Sequence, residues 1–228
     1  MALDNTCLRD SFGRVVDRLR ISVTSRCNYR CIFCHFEGMQ SASEDVFDAY
    51  DYGFIAKTLS KLGVKIYKLT GGEPLLRDDI HRIVGEIKRY ADEVSIVTNG
   101  SLLKEKAPLL AEAGLDRVNV SLHAITGDVY EYITGGSRLL ERVLEGIDAA
   151  LDHGIEVKIN FLLMKSNLGE FEKVLSFAEA RGLNVNVIEL VPLGVPRDVF
   201  EREYVPVTAV LEHIEGKSLD KRYRGFQN

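Results

Sequence analysis

No stretch of this 228-residue chain is apolar for long enough to cross a membrane. Its opening residues, MALDNTCLRD, are polar where a secretory signal would be apolar. A membrane span and a secreted location are therefore not expected. There is no excess of positive charge either: 29 Lys and Arg stand against 34 Asp and Glu, a formal net charge of −5. A nucleic-acid-binding surface normally shows the opposite balance. No low-complexity segment and no fixed-period repeat interrupts the chain. Cysteine is scarce, four in all, and three of them crowd together at Cys27, Cys31 and Cys34. A secreted disulfide framework would spread its cysteines along the chain, so a reducing cytoplasm is the expected compartment. Cys7 stands alone and reads as an inert thiol.

What is present is enough for one sizeable core: 46% hydrophobic residues with 28% charged. We expect a single domain over 1–228, with a barrel at about 12–195 and a C-terminal segment at 196–228. Glycine punctuates the chain in KLGV (61–64), EAGL (112–115), DHGI (152–155) and ARGL (181–184). Each ends a helical stretch and precedes a β-rich run, as a left-handed helix cap does. The β-rich runs are 19–24, 65–70, 94–99, 117–122, 156–164 and 184–191. Between them lie helical patterns. One runs from about Glu44 to Leu62, with a capping box from Ser41 to Glu44 and apolar positions at Phe47, Phe54, Ile55 and Leu59. Another carries the stripe Leu140, Val143, Leu144, Ile147 and Leu151. Strands alternating with helices predict an α/β fold with a parallel sheet, either doubly wound or a partial (β/α)6 barrel.

The cysteines stand as C-x3-C-x2-C in SRCNYRCIFCHF, just after the first predicted strand. Loops at the C-terminal ends of parallel strands are where such folds carry chemistry. Three readings fit the spacing. The thiols are buried and inert, or they bind zinc with His35 or His123 as fourth ligand, or they hold a [4Fe–4S] cluster. The third leaves one iron without a protein ligand, and an open coordination position is one that can bind something. Of the other histidines, His81, His153 and His213 read as surface or supporting residues.

The motif C-x3-C-x2-C after the first strand, with TGGEP after the second, resembles the radical S-adenosylmethionine (SAM) superfamily. Further colinear segments are similar to its GTP 3′,8-cyclase family: LRISVTSRCNYRCIFC, KIYKLTGGEPLLRDD, TNGSLL, AGLDRVNVSL, VKINFLLM and VIELVPLG. The resemblance implies a partial (β/α)6 TIM-like barrel that holds a [4Fe–4S] cluster on Cys27, Cys31 and Cys34. It implies that SAM, chelated to the open iron, is cleaved to a 5′-deoxyadenosyl radical that takes a hydrogen from substrate. Gly71, Gly72, Glu73 and Ser121 would shape the SAM site, with Phe33 and Val191 at positions where the family places a tyrosine and a methionine. Arg20, Lys68 and Lys158 would face the phosphates of GTP. An electron donor is required, and the family often forms a homodimer.

The departures matter. Lys68 replaces a frequent arginine, Val97 a threonine that contacts GTP, and His123 a common aspartate. The family's second three-cysteine cluster, in a C-terminal extension, has no counterpart after Cys34. VPVTAVLEHI resembles the helix that precedes that region, so a truncated cyclase is one expectation. A single-cluster enzyme acting on a peptide or another nucleotide is a second, and a non-catalytic zinc-binding module a third.

Overall fold

The computed structural model describes residues 7–35, 44–136 and 138–214. Six strands form one sheet: β1 (Arg18–Ser22), β2 (Ile66–Thr70), β3 (Glu93–Thr98), β4 (Arg117–Ser121), β5 (Glu156–Leu163) and β6 (Asn184–Glu189). All six predicted runs are present. Every neighbouring pair is parallel, and the order across the sheet is the order along the chain. The helices are α1 (Ala49–Ser60), α2 (Ile80–Lys88), α3 (Leu103–Glu112), α4 (Gly127–Thr134), α5 (Leu140–Asp152), α6 (Phe171–Glu179) and α7 (Arg197–Glu203).

That strand order decides between the two candidate architectures. Right-handed crossovers that always step in the same direction lay every helix on one face. Packing of α1 beside α2, α2 beside α3 and α3 beside α5 agrees. A doubly wound sheet would reverse direction and need apolar residues on both faces. Here the faces differ. Tyr67, Leu69, Val94, Ile96, Val118 and Val120 are fully buried beneath the helices. The alternate positions, including Arg20, Lys68, Ser95, Asn119 and Lys158, share the other face because strand side chains alternate. β1 and β6 do not pair, so the sheet is a partial barrel with a polar concave face.

The glycines that were read as helix caps adopt left-handed φ: +86° at Gly63, +84° at Gly114, +75° at Gly154 and +65° at Gly182. The expected stripe of α5 is also seen, with Leu140, Val143 and Ile147 buried and Leu144 and Leu151 partly so. For α1 the reading needs correction. Its capping box is Asp48 with Asp51, and Ser41 lies outside the described residues. Phe47 and Phe54 are 48% and 71% exposed, while Ala49, Tyr52, Gly53 and Ala56 face inward. Small residues were chosen over large ones because the neighbouring helix is close: a Cβ on Gly53 would stand 3.0 Å from that of Glu86.

One buried carboxylate ties the start of α4 to the segment before α6. Glu170 accepts from Ile125 N, Thr126 N, Thr126 Oγ1 and Lys173 Nζ at 2.7–2.8 Å, tying down the entry to α4. Burial alone would raise its pKa, but the Lys173 ammonium and the Thr126 and Ile125 donors win and hold it at about 2. A depressed acid stabilises the fold above its unfolded value of about 4.5, and that contribution is lost as pH falls towards 2. It amounts to on the order of 3 kcal/mol. Acid titration of the metal-free protein is expected to show this loss in wild type and not in Glu170→Gln. Equal slopes would contradict it.

Candidate functional site

The loop after β1 is held at the open end of the sheet from three directions. From below, the glycine turn after β2 meets it backbone to backbone: Gly72 N donates to Thr24 O at 2.8 Å and Glu73 N to Arg26 O at 2.7 Å. This approach leaves no room for a side chain. A Cβ on Gly72 would overlap the Arg26 carbonyl and sit 2.9 Å from Ser25 O, and Gly71 has φ +143° against Thr24.

From one side, α4 presents its C-terminal carbonyls. Arg30 N donates to Thr134 O and Ile32 N to Ile133 O, both at 3.0 Å. Tyr29, buried, meets the hydroxyl of Tyr130 at 2.9 Å, and Gly136 lets the ring in. Ile32 and Phe33 then pack against an apolar cluster of Ile133, Leu162, Met164 and Leu190. Phe33 also stands edge-on to His123, with ring centres 4.9 Å apart. Burial lowers the pKa of His123 to about 4, so the ring is neutral. Its Nδ1 accepts from Leu162 N at 3.1 Å, which places the ring hydrogen on Nε2.

From the other side a closed ring of three side chains joins the loop to the exit of β3. Asn99 Nδ2 donates to Asn28 Oδ1 (2.8 Å), Asn28 Nδ2 to Ser101 Oγ (2.9 Å), and Ser101 Oγ to Asn99 Oδ1 (2.7 Å). Asn28 lies between Cys27 and Cys31. Removing the hydroxyl with Ser101→Ala leaves the Asn28 amide without its acceptor, at about 1 kcal/mol, while Asn99 Oδ1 keeps the Ser101 N–H. Iron and sulfide per chain after anaerobic reconstitution are expected to fall, with Ser101→Thr restoring them; an unchanged cluster content in Ser101→Ala would refute the ring's role.

Glu73 is only 1% exposed, and its carboxylate points away from the glycine turn's open side. It accepts from Leu75 N, Thr98 Oγ1 and Asn99 N at 2.7–2.9 Å. Glu73 thus braces the turn against the exit of β3. The asparagine ring and this brace were not read from the sequence. TNG straight after a strand, and an asparagine inside the cysteine motif, were the signals available.

No disulfide joins the three cysteines; Cys27 is exposed, and Cys31 and Cys34 are partly buried. Burial, reinforced by the neighbouring Cys34 and Cys27, pushes the Cys31 thiol up to about 12, and burial likewise raises Cys27. Among the described residues no three His, Cys, Asp or Glu side chains converge to hold a single ion. Three thiolates on one loop suit a [4Fe–4S] group, in which each would ligate its own iron.

Ser121 lies on the concave face at the C-terminal end of β4, in register with Asn160. Val191 follows β6 and is half exposed; Gly194, a few residues on, would place a Cβ 2.7 Å from that of His35, so this segment returns to the cysteine loop. Arg20 and Lys68 are register partners, and Arg20 Nη2 donates to Thr70 Oγ1 at 3.4 Å. Lys158 lies across the concave face on β5, half-buried. The rim at the other end of the strands is closed by Arg117, paired with Glu93 and with Glu156.

Residues 21–178 match the model of the radical SAM superfamily. The chain belongs to that superfamily. Its radical SAM core is 43% identical over 223 residues to the probable GTP 3′,8-cyclase of Thermococcus kodakarensis, covering 95% of this chain and 71% of that one. It is 43% identical to the protein of the same name from Aeropyrum pernix, over 92% of this chain and 61% of the relative. For that of Saccharolobus solfataricus the figures are 40%, 94% and 70%. The chain thus spans about two thirds of the length of these curated relatives. Among solved structures, Streptococcus suis SuiB bound to S-adenosylmethionine superposes with a TM-score of 0.73 at 18% identity, over 87% of this chain and 46% of that one. anSMEcpe with bound AdoMet gives 0.63 at 16% identity, over 76% and 52%. These likenesses show the fold: a radical SAM partial barrel, as expected. A [4Fe–4S] cluster and SAM are the cofactors of this radical SAM enzyme, and the zinc-module alternative is set aside. Among the described residues no helix is long and apolar enough to cross a membrane.

Proposed function

We propose that this chain is the radical SAM core of a GTP 3′,8-cyclase, acting in the first step of molybdenum-cofactor biosynthesis. The observation that carries this reading is 43% identity over 95% of the chain to a probable GTP 3′,8-cyclase. The charge of the concave face supports it: Arg20, Lys68 and Lys158 all rise from it, as charge compensation for a triphosphate requires. Cys27, Cys31 and Cys34 would hold the cluster. When bound and reduced by an electron donor, the cluster and SAM supply the 5′-deoxyadenosyl radical. The peptide groups of Gly71 and Gly72, with Ser121, Phe33 and Val191, would surround SAM, while Glu73 keeps the turn in place from behind. Arg20, Lys68 and Lys158 would hold the phosphates so that a ribose hydrogen lies beneath the SAM end of the barrel. Abstraction there leads to cyclisation onto the guanine. We further place the protein in the cytoplasm, as a single core domain that forms a homodimer.

The test is anaerobic reconstitution followed by reduction with SAM and ribose-deuterated GTP. Deuterium in the 5′-deoxyadenosine is the expected result. Deoxyadenosine that stays unlabelled and indifferent to GTP would overturn the substrate and favour the second reading, a single-cluster enzyme on another nucleotide or a peptide. Val97 is the residue that favours it, since it offers the concave face no hydrogen bond.

A further inference from the structure

Resting on the GTP reading, we propose that Asn119 is a specificity-determining residue that binds a ribose hydroxyl of the substrate beside Lys158. Asn119 lies in the middle of β4 on the concave face, 3% exposed, in register with Val97 on β3 and Lys158 on β5. Its carboxamide Nδ2 is sealed from solvent and has no acceptor. Buried amides in folded proteins are nearly always satisfied, so an orphan of this kind marks a missing partner. Arg117, one pleat away, also has an unpaired Nε, but its guanidinium is already committed to Glu93 and Glu156. Asn119 has no comparable structural duty.

Its surroundings say what the partner is. Val97 contributes no polar atom. Lys158 is the register neighbour of Asn119 on β5 and is half-buried on the same face. The cation supplies the charge that a phosphate demands, and a long flexible arm can follow it. The asparagine is short and neutral, both donor and acceptor, and reaches only a group lying against the sheet. A hydroxyl is the group that uses both capacities. Ser121, at the SAM end, is two residues along the same strand, about 7 Å away at strand rise. A sugar held at Asn119 would therefore lie about two strand residues from the end of β4 that would face SAM.

Binding to the reconstituted protein, measured by calorimetry with GTP, 2′-deoxy-GTP, 3′-deoxy-GTP and inorganic triphosphate, separates the roles. Asn119→Ala is expected to weaken GTP about five- to tenfold, the worth of one neutral hydrogen bond. It should leave inorganic triphosphate unchanged and make GTP no better than one of the two deoxynucleotides. Lys158→Ala should weaken GTP and triphosphate alike. Unaltered GTP binding by Asn119→Ala, or equal losses for GTP and triphosphate, would overturn the assignment while leaving the GTP reading standing. Failure of wild type to bind GTP would overturn both.

Discussion

Replacing Gly72 with alanine is expected to lower 5′-deoxyadenosine formation at least about a hundredfold. The added methyl cannot be absorbed by a flexible side chain, because the atoms it meets are backbone: Arg26 O, Arg26 C and Ser25 O. Strand β2's exit and the cysteine loop must move apart by roughly 1 Å to restore contact distance. Misplacement of that size between reacting parts costs on the order of 100-fold in rate. It also breaks the pair of backbone hydrogen bonds, Gly72 N to Thr24 O and Glu73 N to Arg26 O, that hold the two loops in register. Overpacking adds about 1–3 kcal/mol of lost stability. The measurement is deoxyadenosine yield per cluster, with iron content and a thermal melt of the same preparation. A variant within a fewfold of wild type per cluster would show that the SAM end of the barrel tolerates what the backbone contacts forbid.

The second large effect is on pH dependence and belongs to Glu73. Burial lifts its carboxyl to about 7, against the opposing pull of the donors Asn99 N, Thr98 Oγ1 and Leu75 N. An acid with a raised folded pKa holds its proton in the native state while the unfolded chain has already released it. Stability therefore falls as pH rises from the unfolded value, about 4.5, to about 7, and is flat above. The change is on the order of 3 kcal/mol. Glu73→Gln carries no proton to lose, so the difference in unfolding free energy between wild type and this variant should shift by that amount across the window. Denaturant melts of metal-free protein at pH 5, 6, 7 and 8 would show it. A constant difference would mean that the three donors keep Glu73 ionised throughout.

Glu170 has the opposite sign for a reason visible in its partners. Both carboxylates are buried, yet Glu170 has the Lys173 ammonium at 2.7 Å, whereas the three donors to Glu73 are all neutral. Stronger desolvation at Glu73, together with the cation and the extra donor at Glu170, separates an acid raised to about 7 from one lowered to about 2.

Much of the fold could be read directly. Strand positions follow from a period of two, and helix ends from glycines that only a left-handed cap explains, so both are local and both were found. The cysteine spacing and the glycine pair are local too. The inward face of α1 was misread because Phe47 and Phe54 look like core, and only the approach of α2 shows that Gly53 and Ala56 occupy it. For Glu73 the sequence placed the residue at the SAM turn, but the direction of its carboxylate is set by Thr98 and Asn99, about 25 residues on.

By itself, then, the sequence determined the elements, the loop that carries the thiolates and the family. Each rests on residues close together in the chain, where spacing alone constrains geometry. The tertiary structure decided the rest. It closed the ring of Asn28, Asn99 and Ser101 across more than 70 positions. It laid the strands in sequential order, so that one face became polar, and it set Asn119 beside Lys158. Cross-strand register joins residues that no local pattern connects, and the polar concave face of this barrel is made of such pairs.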